Sequence, residues 1–120
     1  MSSRRKKSSP ETTHAAVTAS GTGTALTAQG MKNISVQIVA TSVSSGGVFA
    51  LEGSLDGTSF GVLTPKTTAA ANLAVSNRLF TVSANGTYIL EYENVSVKDV
   101  QVNLSTRTDG TYTVKVWMSD

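Results

Sequence analysis

A chain of 120 residues sets the expectation of one domain, and with no cysteine it has neither a disulfide framework, a thiol nucleophile nor a thiolate metal site. The net charge of +2 is unevenly placed: residues 1–12 carry Arg4, Arg5, Lys6 and Lys7 against Glu11 alone, whereas the remainder has six basic and seven acidic residues. The sequence pI of about 9.1 therefore belongs to the leader, which argues against a generally basic, nucleic-acid-coating body.

Residues 1–12 combine that charge cluster with four serines and Pro10 and hold no large apolar residue after Met1, which predicts an extended arm with no fold of its own. No apolar run approaches the roughly 20 residues of a membrane span, and no hydrophobic stretch follows the basic cluster as in a signal peptide. The expectation is a protein made in the host cytoplasm, not secreted, with no membrane partner. Residues 13–30 are rich in Ala, Thr and Gly and are expected to form a linker or a first thin strand broken at Gly21 and Gly23.

From residue 31 to 120 the pattern is that of a β-sandwich. Ile34, Val36, Ile38 and Ala40 alternate with Ser35 and Gln37, as a half-buried strand requires. The turn cluster Ser42 to Gly47 leads into Phe49, Leu51, Gly53 and Leu55 on alternate positions, followed by Asp56-Gly57, a pair suited to the positive backbone angles of a tight hairpin. A return strand is expected over 59–63, then a crossing loop over 69–76 and a short strand over 79–82. Asn85-Gly86 suits a type I′ turn before Tyr88, Leu90 and Tyr92. Val100, Val102 and Leu104 make the next strand, Asp109-Gly110 the next turn, and Tyr112, Val114, Val116 and Met118 the last inward row, with Trp117 outward. Seven short strands, or eight if residues 13–27 add one, predict an all-β, antiparallel, jelly-roll-like sandwich. The 33 serines and threonines supply hydroxyl-rich outer faces rather than helices.

Candidate chemistry is sparse. Glu52, Asp56 and Asp109 are better explained by turns and an outward strand position than by calcium ligation or paired-carboxylate hydrolysis. His14 is the single histidine and has no second ligand in the sequence, which marks it as incidental. With no phosphate loop and no nucleophile elbow, no enzyme, metal or cofactor is expected. Several Asn-x-Ser/Thr matches carry no weight without secretion. The partner-binding candidates are therefore Arg4, Arg5, Lys6 and Lys7, for phosphates or an acidic protein surface, and Trp117. An exposed indole suits protein or sugar contacts, and its bland alternative is a rim or core position. Lacking interleaved aromatics, the arm is not built for base stacking.

The segment Glu52-Gly53-Ser54-Leu55-Asp56-Gly57-Thr58-Ser59-Phe60, with the strand Ile34 to Ala40 before it and Val100 to Leu104 and Thr111 to Trp117 after it, resembles small β-sandwich virion proteins of tailed bacteriophages. The resemblance covers most of residues 20–120. It departs from the usual wording at Phe60, where Trp is common, and the basic arm is not a shared feature. It implies a head decoration or cement protein, located in the virion, that binds the major capsid protein or another virion protein and forms a homo-oligomer within a symmetric particle. A carbohydrate- or receptor-binding module of a tail or head fibre is the alternative. A small coat protein whose arm binds the packaged genome is a further one, nucleic acid being contacted through the arm only.

Overall fold

The computed structural model describes residues 10–28, 30–66, 69–70 and 73–119. The described residues form twelve strands and no helix. In chain order they are β1 (Glu11–Val17), β2 (Gly21–Thr22), β3 (Leu26–Thr27), β4 (Asn33–Thr41), β5 (Gly47–Ser54), β6 (Gly61–Val62), β7 (Ala69–Ala70), β8 (Leu73–Ser76), β9 (Leu79–Val82), β10 (Gly86–Tyr92), β11 (Asp99–Arg107) and β12 (Thr111–Ser119). One sheet has the order β1-β12-β4-β10. The other runs β2-β11-β5-β9-β8-β7, with β3 also on β11 and β6 also on β5.

These sheets are the two layers of an antiparallel β-sandwich, and the alternation in the sequence is what puts them face to face. On β4, Ile34, Val36, Ile38 and Ala40 point inward and are buried; Val114, Val116 and Met118 of β12 and Leu90 and Tyr92 of β10 continue the same apolar face. Phe49, Leu51, Phe80, Val82, Val100, Val102 and Leu104 answer from the other sheet. Direct contact between layers is made by Phe49, whose ring meets Tyr112 edge-on at 5.1 Å while stacking on Phe80 of its own sheet at 5.7 Å. The Tyr92 hydroxyl is buried in this core with no formed hydrogen bond; burial pushes its ionisation well above the usual phenol range, and the Leu51 backbone beside it offsets this only in part.

Consecutive long strands change layers: β4 to β5, β9 to β10, β10 to β11 and β11 to β12 each cross from one sheet to the other. This corrects the turn expectations at Asn85-Gly86 and Asp56-Gly57. Asn85-Gly86 does not close a hairpin but sits in a crossover at one end of the sandwich, as does the turn at Asp109-Gly110. Asn85 keeps a negative φ, incompatible with a type I′ turn, while Gly110 has φ +102°. Asp56-Gly57 does bridge the paired strands β5 and β6, yet through a wide loop: the ladder ends at Gly53↔Gly61, and Leu55, expected inward, is 75% exposed. The Ser54 hydroxyl and the Asp56 carboxylate use up the backbone donors of that loop, which removes the need for a tight turn. Gly57 and Asp56 N–H bond Ser54 Oγ at 2.9 and 3.2 Å, and Thr58 and Ser59 N–H bond Asp56 Oδ1 at 2.8 Å each.

Two further expectations change. The crossing loop assigned to residues 69–76 is instead strand: β7 and β8 pair and extend the larger sheet beyond β9, because Leu73 finds a buried place in the core. The two-residue connection from β8 to β9 is Asn77-Arg78, with φ of +54° and +68°, so a mirror-image hairpin turn lies where no glycine marks it. Finally, β1 starts at Glu11, inside the stretch that composition assigned to the arm, and residues 11–27 supply three strand pieces.

Candidate functional site

The first sheet has an outer face, and the strand registers specify what stands on it. Trp117 of β12, Ser35 of β4 and Glu91 of β10 are side by side, followed by Lys115, Gln37 and Ile89 one step along, then Thr113, Val39 and Thr87. The period of two that buries Val114, Val116 and Met118 necessarily turns Thr113, Lys115 and Trp117 outward. Trp117 is 37% exposed and Ile89 56% exposed. An open depression between them is lined by Pro10, Ser35, Gln37, Ile89, Lys115 and Trp117. A second, more polar one on the far side of the indole is lined by Asn33, Glu91, Glu93 and Ser119 among others. Glu93 carries an exposed ion pair to Lys66 at 3.1 Å, which raises the lysine's pKa through that hydrogen bond and the charge behind it.

The face is therefore an aromatic plate between an amide-and-lysine side and a carboxylate side. Among the described residues, no group of three or more His, Cys, Asp and Glu side chains stands where it could hold a metal ion. No second aromatic joins Trp117 on this face: Tyr88, Tyr92 and Tyr112 are turned into the interior. Of the sequence-derived binding residues, the structure puts Trp117 here; Arg4, Arg5, Lys6 and Lys7 lie outside the described residues. Pro10, from which that leader departs, is itself in the wall of the first depression.

The turn residues have a different job from the one their dipeptides suggest. Asp109 accepts hydrogen bonds from Ser44 and Gly46 N–H at 2.9 Å each and from Ser45 N–H at 3.0 and 2.9 Å. Those amides, Ser44 first, hold its carboxyl below the ordinary carboxylate range. Asn85 Oδ1 accepts from Val43 N–H at 2.8 Å. Together they latch the loop between β4 and β5 to the two crossovers at the same end of the sandwich. The hydroxyls of Tyr88 and Tyr112 reinforce this end by donating to Ala84 O and Asp109 O, both at 2.7 Å. Gly86 and Gly110 give those rings room: a Cβ at Gly110 would stand 2.6 Å from the Tyr112 hydroxyl. Asp56 is likewise a loop organiser, its carboxyl held down to about 2 chiefly by the Ser59 and Thr58 amides. Glu52 lies on the outer face of the other sheet, accepting from Gln101 Nε2 at 2.8 Å and Asn103 Nδ2 at 3.3 Å.

Sequence reasoning missed His14. It is 5% exposed, on β1, and reaches β2 in the opposite sheet. Its Nε2 faces the Gly21 carbonyl at 3.1 Å, which can only accept, so Nε2 donates; Nδ1 then takes the Thr13 hydroxyl at 3.0 Å. The imidazole pins the crossover that wraps one edge of the sandwich. Gly23 packs so closely under it that a Cβ would come within 2.6 Å of the ring and of Thr13 O. A glycine nine residues after the only histidine was the one available signal.

No family model matches the chain, and no curated protein matches it. Among solved structures it is similar to the crystal structure of SPBc2 prophage-derived protein YomS, with a TM-score of 0.66 over 99% of this chain and 97% of that one. The sequences are 15% identical, so the likeness is one of fold, extending over essentially the whole of both chains.

Proposed function

We propose that this chain is a non-enzymatic structural protein of a bacteriophage particle, acting as a decoration or cement protein that stabilises the head. The observation that carries this reading is the end-to-end likeness of fold to a prophage-derived protein of nearly equal extent. The architecture supports it: a rigid sandwich presents an adhesive outer face at Trp117, and the basic leader departs beside that face at Pro10. Such a leader gains contacts by ordering on a partner, and symmetric copies multiply them. Its partner is the major capsid protein or another virion protein, and the protein resides in the virion.

Removing residues 2–9 spares β1, which begins at Glu11. Particles assembled with this shortened chain are expected to carry fewer copies and to lose heat resistance, while the isolated protein keeps its strand content by circular dichroism. Full occupancy and unaltered heat resistance would remove the leader from the mechanism, and absence of the chain from purified particles would remove the reading itself.

A receptor- or glycan-binding module is the second reading, favoured by the indole standing between two surface depressions. A glycan array probed with the isolated protein separates the two, since a cement protein gives no ligand there.

A further inference from the structure

Among the described residues, three large apolar side chains are exposed: Leu55, Ile89 and Trp117. Two of them share a place. Ile89 and Trp117 stand in the walls of the first depression, about 250 Å³ in volume, with Lys115 in the same wall. Leu55, the most exposed of the three, follows β5 in the larger sheet and is not part of that depression, which opens on the outer face of the smaller sheet.

A single exposed leucine is ordinary on a protein surface. Leu55 differs in how it is carried. Residues 55–59 are all exposed, as in a loop that projects, yet the Ser54 hydroxyl and the Asp56 carboxylate hold the backbone on both sides of its tip. An apolar tip fixed in advance loses little conformational freedom when it is buried by a partner. Asp56 next to it stays ionised down to about pH 2, through the amides of Ser59 and Thr58. The knob thus carries a negative charge at its base, and the depression carries a lysine at its wall.

We propose that Leu55 of one copy seats in the depression between Ile89 and Trp117 of a second copy, with Asp56 set against Lys115. Knob and hole are different surfaces, so the contact is heterologous. Each copy that receives a leucine still offers its own, and copies add head to tail until a ring closes or a chain stays open. This inference does not rest on a virion role and is tested on the isolated protein.

The experiment is sedimentation of the full chain over a range of concentrations, with the emission of Trp117, the single tryptophan, recorded alongside. The expected result is a series of species at two and more times the 12.5 kDa chain mass, and a shift of the emission to shorter wavelength as they form. Leu55→Ser removes the knob, and Ile89→Asp spoils the hole by placing a carboxylate where Asp56 would approach. Each variant alone is expected to sediment at the monomer mass with unchanged circular dichroism. Mixed, they are expected to form a dimer and nothing larger, because the pair retains one sound knob and one sound hole. If Ile89→Asp disturbs the fold, Lys115→Glu replaces it in the mixture. A wild-type chain that stays monomeric with unshifted emission overturns the proposal, as does a mixture that stays monomeric. Association that survives in Leu55→Ser, or that is lost only when residues 2–9 are removed, assigns the depression to another occupant and overturns it equally.

Discussion

The two edges of the four-stranded sheet are closed by opposite means. At the β1 edge the chain wraps from one layer to the other within residues 11–27, and a buried histidine, a buried threonine and a left-handed Ala16 hold the crossing in place. At the β10 edge the strand is straight and regular, and only the Lys66 amide, among the described residues, covers part of it. The first arrangement depends on polar groups that must be satisfied because water cannot reach them, so it is intolerant of change. Among the described residues the second is held by the β4 ladder and the Lys66–Glu91 hydrogen bond, so the monomer is expected to tolerate change at the outward Ile89.

Truncation at the wrapped edge has the largest expected effect. His14→Ala removes a buried ring and leaves the Gly21 carbonyl without its donor, a loss of about 3 kcal/mol by urea unfolding. A loss below about 0.5 kcal/mol would show that the crossover is held by its backbone alone. Next is Gly23→Ala, whose methyl collides with Thr13 O and the imidazole, at an expected cost of about 1–3 kcal/mol. Gly61→Ala is its control: no atom lies within 4 Å of the added carbon, and stability should be unchanged.

A smaller effect is expected from acid. Asp56 and Asp109 are held below their ordinary value of 3.8 in the folded protein, so the unfolded chain takes up protons first. Their contribution is present in full above about pH 4 and is lost as pH falls through the folded values, near 2 for Asp56. Asp109→Asn is expected to lower the melting temperature at neutral pH and to flatten its fall in acid; an equally steep fall would exclude the latch as its source. The smallest effect belongs to the β10 edge, where Ile89→Thr should leave monomer stability within about 0.5 kcal/mol.

The layered β architecture was legible because alternation is a direct imprint of burial: the inward rows of β4, β10, β11 and β12 are the residues that the period of two selects. Turn dipeptides were less informative, since they report local conformation and not which layer the next strand joins. Asn85-Gly86 suggests a type I′ hairpin and Asp109-Gly110 a turn, yet the connection at each crosses between sheets, and among the described residues a mirror-image two-residue hairpin turn lies at Asn77-Arg78. Burial of Leu73 overrode the weak strand signal of an alanine-rich stretch. Trp117 could be placed outward by its position between Val116 and Met118, whereas the roles of His14 and Gly23 depend on a contact across layers that no local pattern encodes.

The neighbours of β4 have a consequence for how the protein comes into being. This strand is flanked by β10 and β12, and its first contact with β12 joins Asn33 to Ser119. A ribosome must therefore deliver almost the entire chain before the sheet around β4 can be completed, and until then its Ile and Val row has only partial cover. That strand order makes the pairings of β4 long-range in sequence, and folds dominated by such pairings complete their sheets slowly.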